Sequence, residues 1–218
     1  MRVGVLAMQG AVREHLDALR RCGCEAVTVK RVEQLKDLHG LIIPGGESTT
    51  IGELMREYGF FPAIKQAAEN GLGIYGTCAG MILLAKEIRD SDQPRLGIMD
   101  VVVRRNAFGR QRESFEIDLD IPLLGEHPFR AVFIRAPYIE SAGPAVEVLA
   151  SLGGKIVLAR EGRLLASAFH PELTDDLRIH QYFVQRLSAQ DTGAIAKRGT
   201  PSRSESEHEE ERPEVGTA

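Results

Sequence analysis

The sequence predicts an α/β protein of three layers, a mostly parallel central sheet flanked by helices, with an additional β-rich segment. Three observations carry this expectation. Short apolar runs alternate with helical patterns as far as Ile88. Strands separated by helices return in parallel, and their apolar character requires cover on both faces. Beyond Gly97 the alternation gives way to closely spaced strand-like runs. Finally, 218 residues with 43% hydrophobic content supply one sizeable core but not two enzyme domains.

The elements follow in order. RVGVLA (2–7) is a short apolar strand, and AVREHLDALRRC places Val12, Leu16 and Leu19 at helical spacing. EAVTVK (25–30) is valine-rich and reads as a strand, and GLIIPGG (40–46) is a buried strand running into a Gly turn. STTIGELMREYG and FPAIKQAAEN read as helices, LGIYG (72–76) as another buried strand, and CAGMILLAKEI as a helix following it directly. IMDVVVRR, SFEIDLDI, AVFIRAPYI, AVEVLASL, KIVLAR and LLASAF are strand-like, and DDLRIHQYFVQRL closes the fold as a helix. Residues 1–190 form one domain in this reading. Residues 191–218 are set apart as a disordered charged tail. From Thr192 large apolar residues are almost absent, and six Glu stand against four Lys plus Arg. Such a composition cannot offset its ordering entropy by burial.

Composition narrows the function. A formal net charge of −4 offers no basic excess for phosphate backbones, so no nucleic-acid partner is expected. No window approaches the apolar length of a membrane span, and Gln9, Arg13, Glu14 and His15 follow too early for a signal peptide. Cys22, Cys24 and Cys78 make no disulfide framework, which points to a reducing cytoplasm.

The sharpest local feature is Gly76-Thr77-Cys78-Ala79-Gly80, between a buried strand and a helix. Gly-x-nucleophile-x-Gly at such a junction makes a nucleophile elbow. A helix N-terminus favours thiolate over thiol, and the Ala79 amide would point where an oxyanion forms. Read alone, Cys78 is as consistent with a small buried core residue. A base is supplied by Phe169-His170-Pro171-Glu172, where the LLASAF strand ends. Strand ends are where open α/β sheets place their sites. An extended link of two residues would put Glu172 on the same side as His170, able to orient its imidazole. A third element, Pro44-Gly45-Gly46-Glu47-Ser48, opens a helix, and its amides suit an anion. It also reads as a Gly turn with Ser48 as N-cap. Gly71 to Gly76 matches a dinucleotide pattern but spans the strand itself, and Gly45 to Gly52 lacks the lysine of a P-loop. Cys22 and Cys24 are too close for a usual zinc pair, and no metal is expected.

Together these residues resemble the class I, triad-type glutamine amidotransferases. AMQGA, PGGEST, GTCAGMILLA, RNAFGRQRESFE, FIRAPYI and FHPELT narrow the resemblance to the glutaminase subunits of pyridoxal 5'-phosphate synthases, over about residues 2–188. The resemblance implies a flavodoxin-like sheet and hydrolysis of L-glutamine to glutamate and ammonia. It implies Cys78 as nucleophile, His170 as base, Glu172 as orienter, and the Gly46 and Ala79 amides as the oxyanion hole. Glutamine would be held by Gly46, Glu47, Ser48, Arg105, Ile134 and Arg135, with Gln9 beside the oxyanion turn. No cofactor is implied. The implied partner is a (β/α)8-barrel synthase subunit, twelve of which form a core decorated with glutaminase subunits, and which takes the ammonia into vitamin B6 synthesis. Two alternatives stay open on the triad alone: the glutaminase subunit of another amidotransferase, and a binding or redox protein that uses Cys78.

Overall fold

The computed structural model describes residues 1–105 and 114–189. The expected tail and the middle of the RNAFGRQRESFE block lie outside the described residues. The chain runs β1 (Arg2–Leu6), α1 (Val12–Arg21), β2 (Glu25–Val29), β3 (Gly40–Ile43), α2 (Ser48–Glu57), α3 (Phe60–Glu69), β4 (Gly73–Thr77) and α4 (Ala79–Leu84). It continues through β5 (Ala85–Ile88), β6 (Met99–Arg104), β7 (Ser114–Leu119), β8 (Phe129–Ile134), β9 (Tyr138–Ala142) and β10 (Glu147–Leu152). It ends with β11 (Lys155–Glu161), β12 (Leu164–Ser167) and α5 (Arg178–Ala189). No helix among the described residues is long and apolar enough to cross a membrane.

The main sheet has the order β2-β1-β3-β4-β12-β11-β9-β6-β5, with β10 added beside β11. From β2 through β12 every pairing is parallel. This is the flavodoxin-like order expected, with β12 as the fifth parallel strand. Beyond β12 the sheet turns antiparallel through β11, β9 and β6, and β5 closes it parallel to β6. β7 and β8 form a separate antiparallel hairpin. The β-rich second half is therefore the extension of the sheet plus this hairpin.

Residue size along β4 decides how the helices pack. Side chains alternate across a strand. On one face lie Gly73, Tyr75 and Thr77. A Cβ at Gly73 would overlap Leu187 of α5, Tyr75 meets Phe183 of α5 with ring centroids 5.6 Å apart, and Thr77 reaches α1 through His15. On the other face a Cβ at Gly76 would enter the backbone of α4 at Gly80. Helices α1 and α5 thus cover one face and α4 the other. Strands β3 and β4 are buried along their whole length, as strands covered on both faces must be.

Two expectations need correction. The helix read through CAGMILLAKEI stops at Leu84, and Ala85–Ile88 is a strand. All six residues of α4 are buried, so its length is set by the space between elements, and the Ala85 backbone turns extended to pair with β6. Tertiary pairing here overrides local propensity. The AVFIRAPYI run is two strands, because Arg135 at φ 41° breaks the chain and sends β8 and β9 to different sheets.

Burying Phe183 and Leu187 contributes about 1.5–3 kcal/mol each, and that contribution requires a glycine opposite. Gly73→Ala should lower Tm by about 2–10 °C, equivalent to ~1–3 kcal/mol of overpacking. In Leu187→Ala the added methyl has room, so the cost of the double variant should fall below the sum of the single ones. Thermal melts of the four proteins check this, and strict additivity would contradict the packing described.

Candidate active site

Four strand ends on one edge of the sheet bring the chemistry together. β1 leads into the Met8–Ala11 loop, β3 into the Gly45-Gly46 turn, β4 into Cys78, and β12 into His170. This is the carboxyl edge of the parallel sheet, where the strand order reverses between β1 and β3.

Cys78 occupies the sharp turn from β4 to α4, with φ 49° and ψ −100°. That conformation is costly for a residue with a Cβ, by about 1–3 kcal/mol, and it persists only where its surroundings enforce it. The Cys78 amide donates to the Ser167 carbonyl of β12 at 2.8 Å, which ties the turn to the strand carrying the base. The Ile82 amide donates to the Cys78 carbonyl at 3.3 Å and starts α4. A Cβ at Gly80 would run into the Ile43 carbonyl, so glycine lets α4 start against β3. The elbow expected from the Gly-x-Cys-x-Gly spacing is present.

His170 is held by its own backbone, whose amide donates to the Val132 carbonyl of β8 at 2.8 Å. The hairpin is thereby fixed to the site. His170 Nδ1 lies 2.8 Å from Glu172 Oε1. Since a carboxylate only accepts, Nδ1 carries the proton and Nε2 is left for the sulfur. The link is not extended as expected: Pro171–Leu173 form a 3-10 turn, and this tight turn rather than strand alternation brings the carboxylate onto the ring. Burial pulls the imidazole pKa down, but hydrogen bonds to Cys78 and Glu172 and their charges outweigh it and hold His170 well above its ordinary value. Burial pushes Glu172 up, and the neighbouring His15 with the hydrogen bond and charge of His170 overcome this and hold the carboxyl below its usual range.

The Gly45-Gly46 turn packs against both partners. A Cβ at Gly45 would stand 2.9 Å from His170 Nδ1 and 3.4 Å from Cys78 Cβ. Gln9 Oε1 accepts the Glu47 amide at 2.8 Å, and the Ala11 amide donates to the Gly45 carbonyl at 3.2 Å. Gly10, at φ 110°, lets the two loops approach, since a Cβ there would overlap the Gly45 carbonyl. Gln9 therefore ties the N-terminal loop to this turn. Ser48 is not the N-cap: Glu47 occupies that position, and Ser48 Oγ instead donates to Gln93 Oε1 at 3.1 Å. Arg105 Nη1 donates to the same oxygen at 2.8 Å, and its Nη2 lies 3.7 Å from Glu47. Gln93 thus gathers Ser48 and Arg105, both expected from the resemblance. Neighbouring Arg104 turns away to pair with Glu140 at 3.0 Å.

Ile134 and Arg135 arrive from β8. The Ile134 carbonyl lies 3.9 Å from Cys78 Sγ. Among the described residues, four non-glycines have positive φ: Asp37, Asp90, Cys78 and Arg135. Asp tolerates this region well. The two that do not are Cys78, which carries the sulfur, and Arg135, which follows the residue whose carbonyl faces it. Ala79 is the first residue of α4, where amides lack an intrahelical acceptor.

Two histidines complete the surroundings and were not singled out from the sequence. His15 of α1 and His180 of α5 are both fully buried. His15 Nε2 lies 3.4 Å from Glu172 Oε2 and 3.1 Å from Thr77 Oγ1, and His15 Nδ1 lies 3.0 Å from His180 Nε2. A signal for His15 existed. It falls between Val12 and Leu19 at helical spacing, next to Leu16, on the apolar stripe of α1. Gln93 carried none.

Comparison with known proteins agrees with this geometry. A chain from Pelotomaculum thermopropionicum, named pyridoxal 5'-phosphate synthase subunit PdxT, is 65% identical over 186 residues, covering 85% of this chain and 95% of the relative. The protein of the same name from Moorella thermoacetica is 59% identical over 187 residues, covering 86% of this chain and 100% of the relative. A crystal structure titled as a glutamine amidotransferase superposes with a TM-score of 0.81 at 55% identity, covering 85% of this chain and 98% of that one. The profile of the SNO glutamine amidotransferase family matches residues 5–189. An elbow cysteine, a buried His–Glu pair and this match over nearly all the described residues lead to one statement: the chain belongs to the SNO glutamine amidotransferase family.

Proposed function

We propose that this chain is the glutaminase subunit of a pyridoxal 5'-phosphate synthase and works with a separate synthase subunit in vitamin B6 biosynthesis. The observation that carries the chemistry is the line from Cys78 through His170 to the buried Glu172, across a strained elbow. The observation that carries the partner is the 65% and 59% identity to relatives named as that subunit.

The reaction follows from the groups present. The Cys78 sulfur attacks the side-chain amide carbon of L-glutamine, and the carbonyl electrons move onto oxygen. Amides of Gly46 and Ala79 hold that oxyanion. His170 Nε2, protonated beside the sulfur, gives its proton to the amide nitrogen, the C–N bond breaks and ammonia leaves. A glutamyl thioester remains on Cys78. Water then attacks it, losing a proton to His170, and glutamate departs as the sulfur recovers its electrons. Glu172 keeps Nδ1 protonated and stabilises the imidazolium at both stages. Glutamine is held by Gly46, Glu47, Ser48, Arg105, Ile134 and Arg135, and Gln9 braces the oxyanion turn. Arg105 is already shared with Glu47 and Gln93, so Arg135 is the freer guanidinium for the substrate carboxylate.

Ammonia released into water at neutral pH becomes ammonium and is no longer a nucleophile. Passage to a docked acceptor avoids this. The proposed acceptor is a (β/α)8-barrel subunit in a dodecameric core, in the cytoplasm. Side chains and amides perform each step in this chain, with no cofactor or metal invoked. Catalysis is assigned to residues 1–190.

Glutamate release from L-glutamine, assayed with the synthase subunit present, should fall by about 10⁴-fold in Cys78→Ala and similarly in His170→Asn. Arg135→Gly should leave Tm unchanged or slightly raised, since it relieves about 1–3 kcal/mol of backbone strain, while KM for glutamine rises about tenfold. An unchanged KM would remove Arg135 from the glutamine site. Deletion of residues 192–218 should leave kcat and Tm at the wild-type values, and loss of either would bring the C-terminal segment into the working enzyme.

A further inference from the structure

Resting on the triad reading above, we infer that His15 and His180 are positioning residues, a buried two-histidine relay that orients Glu172 and so the imidazole of His170. The argument begins with what a carboxylate demands. Glu172 Oε1 is taken by His170, and Oε2 is buried with His15 Nε2 at 3.4 Å and no closer donor among the described residues. A buried charge with one side unmatched would tend to protonate, and a protonated Glu172 cannot support an imidazolium.

The requirement propagates outward. Nε2 of His15 faces a carboxylate oxygen, so it carries the proton and shares it between Glu172 Oε2 and Thr77 Oγ1. Burial pulls the His15 pKa down, against the charge of Glu172, which keeps the ring neutral, with one N–H only. Its Nδ1 is then a bare acceptor, and His180 Nε2, 3.0 Å away, donates to it. Burial, reinforced by His15, pushes His180 down to about 3, so it too is neutral. The donor left over is none, and the leftover acceptor, His180 Nδ1, has no partner among the described residues. One ionised carboxylate thus sets the protons of the imidazoles around it: His180 donates to His15, His15 turns its Nε2–H toward Glu172 Oε2 at 3.4 Å, longer than a hydrogen bond, and His170 donates to Glu172.

The other groups around the pair do not replace it. Glu14 on α1 and His170 act on His15 through space only. Tyr75 on β4 turns its hydroxyl to Ser167 Oγ at 2.9 Å. Thr77 Oγ1 supports His15 but comes from a strand whose position is already set by the elbow. Filling the interface between α1 and α5 needs only apolar side chains, as the neighbouring Leu16, Leu19, Ile179 and Phe183 show. Two neutral histidines, hydrogen-bonded to each other and aligned on the carboxylate at 3.4 Å, do more than fill space.

The test uses the full-length chain with its synthase subunit, measuring kcat, KM and the pH dependence of glutamate release. Cys78→Ala serves as the blank. His15→Leu should lower kcat about 10–100-fold, with KM within about threefold of wild type. Without the His15 donor the Glu172 pKa rises, so the acid limb of the profile should move up by about one pH unit. His15→Gln keeps an N–H donor and should recover most of kcat and return the limb toward wild type. His180→Leu frees the His15 tautomer and should give a smaller loss in the same direction. If the Leu variant does not fold, His15→Gln against His180→Leu gives the same comparison. A wild-type acid limb in folded His15→Leu, or loss of kcat in step with Tm and no recovery by Gln, would overturn the relay and leave the triad standing. Glutamate release that survives Cys78→Ala would overturn the triad, and the relay with it.

Discussion

Glu172 is a carboxylate with only 7% of its surface exposed, and the surrounding architecture answers the demand this makes. Removing a carboxylate from water costs several kcal/mol unless donors replace the solvent. The groups that answer it come from two directions. His170 reaches it from the end of β12, and His15 reaches it from α1 with His180 of α5 behind. The parallel sheet brings these elements to one edge, and the small residues of β4 let α4 and α5 sit close enough to hold them. Because His170 bonds one oxygen at 2.8 Å and His15 faces the other at 3.4 Å, the carboxyl stays ionised and the imidazole beside it stays protonated. The Cys78–His170 pair is thus the outer end of a buried polar line.

Strain and ties concentrate at the same place. Cys78 and Arg135 each occupy positive φ, and each sits where a strand ends abruptly. Such conformations are kept only where neighbouring bonds leave no alternative. For Cys78 these are its amide bond to Ser167 and the start of α4 at Ala79. For the Ile134–Arg135 corner the tie is the His170 amide on Val132, two residues before Ile134 along β8. The separate β7–β8 hairpin is therefore part of the site, although it shares no ladder with the main sheet. Gln9 and Gly10 do the corresponding work on the other side, binding the N-terminal loop to the Gly45-Gly46 turn.

Much of this was legible in the residues. Alternation of apolar runs and helical patterns predicted the parallel half, and the Gly-x-Cys-x-Gly and His-Pro-Glu spacings located Cys78, His170 and Glu172. What escaped did so for physical reasons. The end of α4 was invisible because AKEI is a good helical sequence, and only its parallel partner β6 turns it into a strand. The break at Arg135 was hidden because nothing in FIRAP announces a positive φ. His15 and His180 were passed over because a histidine reads as polar, although both lie on the buried stripes of their helices. Their meaning appears only when α1 and α5, far apart in sequence, close over Glu172. The residues proposed to hold glutamine were reached by resemblance. Arg105 and Ser48 meet at Gln93, which no pattern singled out.

The central claim is that the buried carboxylate makes Cys78 the reactive sulfur. The most direct test is to treat the chain, with its synthase subunit, with a glutamine-shaped diazoketone, and to map the modified peptide by mass spectrometry at several time points. The account predicts an adduct on Cys78 and none on Cys22 or Cys24. It also predicts that L-glutamine slows labelling, and that Glu172→Gln slows it strongly while the protein stays folded. Labelling of Cys22 or Cys24 at a similar rate, or labelling of Cys78 at the wild-type rate in Glu172→Gln, would contradict it.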